Sequence, residues 1–278
     1  MSIAKSPIKG QEIRKHIPEI LQRKNIMFQL TGLTRPTRMI LEDVLGAVLE
    51  KIGANPIASF HVFSGVTEAL LNAVKGNIRQ MIFRDEILTK LLNDSNDPVG
   101  EEESILEIIL DTSPLRDAMR RYVVPEKVKK IVQKILLLED KVRAKKEKLK
   151  EEDQEFLVRM RAKLQKTNFK IDIKITIRAD ELYLRIRNDA PVHWLDMKRI
   201  DKSRAAHKEL ADQGRSGDYF RPDNVDETES AGFGIAMIDE GFYSMGIDPM
   251  DYFTISSSPR NTVVYMRYPI DKLQNMEM

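Results

Sequence analysis

Cysteine is absent from all 278 residues. That excludes disulfides and thiolate metal sites, and it fits a reducing, cytoplasmic setting. An excess of one charge is missing too. Lys and Arg number 45 against 43 Asp and Glu, a formal net charge of +2, so there is no global electrostatic case for a nucleic-acid partner. The opening stretch, MSIAKSPIKGQEIRKH, has no apolar core of the kind a secretion signal carries. Long apolar runs are lacking as well: ILEIIL (105–110) and IVQKILLLE (131–139) are short and interrupted, against the roughly 20 residues a bilayer needs. The expectation is a soluble protein without a membrane partner, or one that reaches a membrane through another protein. The four histidines do not have zinc-site spacing.

What is present begins with a stretch around which the rest is organised, SGVTEALLNAVKGN (64–77). It reads as a helix over Gly65–Asn77, with Val66, Leu70 and Ala73 on one apolar face and Gly76 closing it. Glu68 and Asn72 are four residues apart and project side by side. A carboxylate and a carboxamide held that way can serve as general base and divalent-metal ligand.

Upstream, residues 11–24 form a short polar helix and Ile26–Leu30 a strand. Helical spacing runs from Thr37 to Ile52 and ends at Gly53-Ala-Asn-Pro56, and a linker then leads into the Glu68 helix. The order suggests a layered α+β domain. Residues 80–122 read as two amphipathic helices around the breaker Asn93–Pro98. Residues 126–166 are dense in helix formers and charge, with Val128, Ile131, Ile135, Leu138, Val142 and Leu149 in a heptad stripe. This middle reads either as a helical hairpin packed on its own domain or as a dimerisation or partner-binding arm.

Strand character returns at Phe169, where Ile171, Ile173, Ile175 and Ile177 alternate with polar residues. A turn at Ala179–Glu181 leads to a return strand through Leu182, Leu184 and Ile186, which delivers Asn188-Asp189-Ala190-Pro191 at its end. A polar, mobile segment is expected from Lys198 to Ser230. A glycine-rich entry to a helix at 235–245 follows, and two strands, Tyr252–Ser256 and Thr262–Tyr268, close the chain.

Four stretches in order carry a resemblance: TEALLNAVK, LRIRNDAPV, SAGFGIAMI and SSPRNTVVYMRYP. They resemble the N box, the two glycine boxes and the terminal strand pair of the GHKL superfamily. That superfamily groups the ATP-binding domains of gyrase, histidine kinases, MutL-type repair proteins and anti-sigma-factor serine kinases, and the last type is the most similar. The resemblance implies a two-layer α/β sandwich of the Bergerat type with a large helical insertion. It divides the chain into residues 1–79 with the N box, 80–166 as the insertion, and 167–278 with the glycine boxes and an ATP lid. It implies ATP and Mg²⁺ as cofactors, with Glu68 activating the nucleophile, Asn72 on the metal and Lys75 on phosphate. Asn188, or Asp189 one residue on, faces the adenine, where Ala190 and Val192 replace the two glycines of the family pattern. Gly232 and Gly234 cradle phosphates at a helix start, and Thr262 contacts adenine or a bridging water.

The functional expectation is an Mg²⁺-dependent regulator passing the ATP γ-phosphate to a protein serine or to water. Its partner would be a sigma factor or an anti-sigma antagonist, and a homodimer is a further expectation. The alternative is the same fold with weakened catalysis, acting through protein contacts. A sensor histidine kinase fits less well: His16 lacks a second dimerising helix after it, and His207 follows the first glycine box.

Overall fold

The computed structural model describes residues 13–22, 24–32, 35–94, 125–144, 149–221 and 232–276. In chain order these form α1 (Ile13–Leu21), β1 (Asn25–Leu30), α2 (Arg35–Lys51), α3 (Pro56–Asp94), α4 (Glu126–Ala144) and α5 (Glu151–Lys166). Then follow β2 (Ile171–Ile177), β3 (Glu181–Asn188), α6 (Trp194–Asp212), a 3₁₀ turn (Ser216–Phe220) and α7 (Gly232–Ser244). The chain ends with α8 (Pro249–Tyr252), β4 (Phe253–Ser257), β5 (Thr262–Pro269) and α9 (Ile270–Gln274).

The fold is α+β. Strand alternation builds a five-stranded antiparallel sheet in the order β1-β2-β3-β5-β4. Ile171, Ile173 and Ile175 face Asn188, Ile186 and Leu184 across β2 and β3, and Ile186 and Leu184 face Val264 and Met266 of β5. This apolar face is buried under a helix layer in which α3 meets β2 and β3, and α9 meets β5 and α3.

The central helix is longer than the sequence suggests. α3 runs unbroken for 39 residues, about 58 Å at the usual rise, so neither the expected linker before Gly65 nor the expected end at Gly76 exists. Its true start is signalled by Asn55-Pro56. The Asn55 side-chain Oδ1 accepts from Ile57 N at 2.8 Å, and a proline at the first helical position has no N–H to leave unsatisfied. The first of the two helices expected over 80–122 is the continuation of α3, and residues 95–122 lie outside the described ones. Pro56–Glu86 is long and apolar enough to cross a membrane by length and composition alone, a property the short apolar runs do not announce. Here it packs against α2, α7 and the sheet, with Ala58, Val62 and Leu70 fully buried.

Helices α4 and α5 form a hairpin that packs on α3. Val128, Val132, Ile135 and Leu138 are buried, whereas Val142 of the expected stripe is exposed. Arg161 donates to both Glu139 oxygens at 2.8 and 2.7 Å, and Lys163 pairs with Asp85 of α3 at 2.5 Å.

The segment expected to be mobile from Lys198 is instead helical through Asp212 and turns once more at Ser216–Phe220; 222–231 lie outside the described residues. Its polar side chains hold it to α7. Arg204 Nε donates to both oxygens of fully buried Asp239 at 3.1 and 3.0 Å, and its NH2 group to the Pro249 and Phe253 carbonyls at 3.1 Å each. Burial pushes the Asp239 carboxyl up, against the pull of Arg204. His207, also fully buried, meets Glu240 at 3.1 Å and stacks on Tyr219 with ring centroids 4.7 Å apart. His207 is thus a core histidine, and His16 is a half-exposed one facing Glu19 at 3.5 Å.

Candidate functional site

Along α3, positions 65, 68, 72, 76 and 79 fall on one face, because steps of three and four residues return to the same side of a helix. That face carries Gly65, Glu68, Asn72, Gly76 and Arg79, and several elements close on it in turn. A Cβ on Gly65 would lie 3.3 Å from the Tyr268 hydroxyl and 3.9 Å from Ile238 of α7. A Cβ on Gly234, in the first turn of α7, would lie 2.7 Å from Glu68 Oε2 and 3.3 Å from Asn72 Nδ2. A Cβ on Gly76 would lie 3.2 Å from Asn188 Nδ2 and 3.6 Å from Ala190 Cβ. Arg79 reaches Asp196 of α6 at 3.3 Å. The two glycines read from sequence as a helix end and a phosphate loop are therefore places of close approach.

The sheet end of this seam is a hydrogen-bonded chain. Asn77 Nδ2 donates to the Lys170 carbonyl at 3.3 Å, which leaves its Oδ1 to accept from Asn188 Nδ2 at 3.1 Å. Asn188 Nδ2 also donates to the Ala190 carbonyl at 3.2 Å, which accepts from Thr262 Oγ1 at 2.7 Å. A carbonyl can only accept, so the Lys170 oxygen sets the orientation of the Asn77 amide and, through it, that of Asn188. Both N–H bonds of Asn188 are engaged inside the protein, and among the described residues its Oδ1 has no hydrogen-bond partner. Asp189 points elsewhere: Oδ2 accepts from Lys170 N at 3.0 Å and Oδ1 meets Arg187 at 3.2 Å. Of the two residues that could face a base, Asn188 lies in the seam and Asp189 outside it.

The Glu68 end is charged and half-buried. Burial pushes the Glu68 carboxyl above its ordinary value, with Lys75 pulling it back. Burial holds the Lys75 ammonium below its ordinary value, Glu68 opposing this and Arg79 adding to it. Asn72 Nδ2 is sealed from solvent and has no hydrogen-bond partner among the described residues, a state that costs about 1–3 kcal/mol. Glu68 to Gly76 spans about 12 Å along the helix axis, so the acid–amide pair and the Asn188 network sit at two ends of one line. Gly232 opens α7, two residues before the contact glycine.

Sequence reading missed Asn77, Gly65 and Arg79. Their signal was present, as the 3–4 periodicity of small and polar residues within an apolar helix. Among the described residues no group of three or more His, Cys, Asp or Glu could hold a metal alone. A magnesium ion that shares phosphate ligands requires only one or two protein oxygens. The Glu68 carboxylate and the Asn72 carboxamide oxygen are donors of that kind, while the orphaned Asn72 N–H and the Lys75 ammonium suit the phosphate oxygens beside such an ion. No protein-family model, no curated protein and no solved structure matches this chain.

Proposed function

We propose that this chain is a GHKL-type, Mg²⁺-dependent ATP-binding regulator that transfers the γ-phosphate to a protein serine or to water. A single observation carries the reading. One helical face lines up an acid with a raised pKa, an unsatisfied carboxamide and a lysine, with the oriented Asn188 acceptor about 12 Å along the helix from the acid. Bound MgATP would supply a phosphoryl group whose developing charge is shared by the metal.

The residues of the chain do the remaining work. Glu68 accepts the proton from the attacking hydroxyl, and the burial that raises its pKa makes it a stronger base than an exposed carboxylate. Lys75 neutralises phosphate charge, and Asn72 offers a carboxamide oxygen to the metal. The Asn188 oxygen accepts from the exocyclic amine of adenine, with Thr262 holding the Ala190 carbonyl in place. Gly234 brings the first turn of α7 to the phosphates, where N–H groups at a helix start favour anions. The acceptor would belong to a sigma-factor or anti-sigma-antagonist type of partner.

Calorimetric titration with ATP and ADP, with and without Mg²⁺, tests the reading, together with phosphate release by wild type and Glu68→Gln. Metal-dependent binding and loss of turnover in Glu68→Gln are expected; absence of binding, or equal turnover in both proteins, overturns it. A second reading, a nucleotide-binding module with weakened catalysis, draws on the packing of Ala190 against Gly76 and on the burial of Asn188, 5% exposed. ATP binding without turnover, unchanged by any serine-containing partner, would select it.

A further inference from the structure

The sheet has a second face, opposite the helix layer and independent of the Glu68 seam. Strand alternation puts Lys174 and Thr176 of β2, Tyr183, Arg185 and Arg187 of β3, and Tyr265 and Arg267 of β5 on it, all half-buried rather than sealed. Register orders them. Lys174 faces Arg185, and Arg185 faces Tyr265. One step along, Thr176 faces Tyr183, and Tyr183 faces Arg267. Tyr183 and Tyr265 are therefore diagonal neighbours on adjacent strands, with ring centroids 6.0 Å apart and planes tilted by 41°. Arg178 lies over the Tyr183 ring at 5.1 Å.

The charges on this face do not cancel. Arg187 is taken up by Asp172 and Asp189 at 3.0 and 3.2 Å. Arg178 and Arg267 share the single carboxylate of Glu181, at 3.6 and 3.7 Å. The side chains of Lys174 and Arg185, at the centre, make no ion pair or hydrogen bond among the described residues. Five cations (Lys174, Arg178, Arg185, Arg187 and Arg267) thus meet three carboxylates (Asp172, Glu181 and Asp189) on this face.

We infer that this open sheet face binds single-stranded nucleic acid, bases stacking on Tyr183 and Tyr265 and phosphates meeting Lys174, Arg185, Arg178 and Arg267. Two aromatic rings on neighbouring strands of a half-exposed sheet face, ringed by cations, form a platform for splayed bases. A duplex keeps its bases stacked on each other and offers nothing to the tyrosines. An acidic peptide or an anionic membrane would satisfy the cations and leave the rings unused. The surface selects for the class that presents flat π-faces and phosphates together.

Fluorescence anisotropy with labelled oligo(dT) and oligo(U) of about 12 nucleotides, within the usual site size, tests this on the full chain. Binding should weaken with salt at a slope of about −2.8 for four contacted phosphates, falling to about −2.1 in Arg185→Gln. Tyr183→Ala and Tyr265→Ala should each lose roughly five- to hundredfold in affinity, and Tyr183→Phe should retain it, since stacking needs the ring and not the hydroxyl. Melting curves of the variants guard against loss of fold, and Arg185→Gln, which keeps both rings, gives a second reading should an alanine variant unfold.

Failure of any oligonucleotide to bind at low salt overturns the inference. So does equal or tighter binding of a matched duplex, of a poly-glutamate peptide, or of phosphatidylserine–phosphatidylcholine vesicles. Loss of binding in Arg185→Gln with no effect of the tyrosine variants also overturns it, because it would reduce the face to a charge patch.

Discussion

Replacing Gly234 by alanine probes the seam at its narrowest point. The new methyl group would lie 2.7 Å from Glu68 Oε2, where ordinary contact begins near 3.4 Å, so the carboxylate must retreat by about 0.7 Å. The clashing atom is the far end of a flexible side chain, and the retreat is a rotamer adjustment costing about 0.5–1.5 kcal/mol. Against it, alanine is favoured over glycine inside a helix by about 1 kcal/mol. The two effects offset each other, and the melting temperature of Gly234→Ala should stay within about 2–4 °C of wild type. Function should not be spared, because displacing a catalytic group by about 1 Å costs up to 10²-fold. Phosphate release should fall roughly 30- to 100-fold, with weaker MgATP binding by calorimetry. Gly46→Ala on α2 is the control: no atom lies within 4 Å of its Cβ, so it should stabilise by about 0.5–1 kcal/mol and leave the site alone. A well-folded Gly234→Ala protein with wild-type turnover and affinity would refute the idea that this glycine sets the position of Glu68.

Glu68→Gln should raise the melting temperature at neutral pH. A carboxyl with a raised folded pKa contributes stability that is complete below its unfolded value and lost as pH rises through the folded value. The gain over wild type should therefore vanish in acid, and a gain that persists there would contradict the assignment. Arg204→Ala strands the buried Asp239 carboxylate and should cost about 3–5 kcal/mol in denaturant melts; a loss below about 1 kcal/mol would mean that Asp239 is protonated in the fold. Asn77→Ala leaves Asn188 Nδ2 short of an acceptor, which should cost about 1–3 kcal/mol. It should also reduce the preference for ATP over inosine triphosphate, since the Asn188 oxygen is no longer held toward an amine donor, and unchanged discrimination would remove Asn188 from base recognition.

The strands and α2 were legible because their cause is local. Alternation over Ile171–Ile177 and the helical spacing of Leu41, Val44 and Val48 each reflect one face of one element meeting the core. The limits of α3 were not, because glycine has two uses that sequence does not separate. Gly53 and Gly214 follow helices at φ near +70°, where only glycine is comfortable, and they do end them. Gly65 and Gly76 sit inside α3 and are small because Tyr268 and Asn188 come close. The helicity of α6 was hidden for another reason. Arg204 and His207 look like surface residues until Asp239 and Glu240, more than thirty residues on, are brought against them, and pairing at that range leaves no periodic trace.

The polar residues of the seam depart from what folding alone would favour, and they do so together. A half-buried acid with a raised pKa, a half-buried lysine with a lowered one and a sealed amide without a partner all lie on Glu68–Lys75, two turns of one helix. Each is a cost that an apolar side chain would remove. The same helix shows that the fold can satisfy such groups, because Asn77, one turn beyond Asn72, is fully engaged with Lys170 and Asn188. Poor packing would scatter unsatisfied groups along α3, whereas a site that leaves room for an anion and a cation would concentrate them where Gly234 approaches. Among the described residues the other orphaned buried atoms, His207 Nδ1 and the Tyr243 hydroxyl, lie together between α6 and α7, so on α3 itself the orphaned amide falls only where Gly234 approaches, which favours the proposed binding site over an imperfect core.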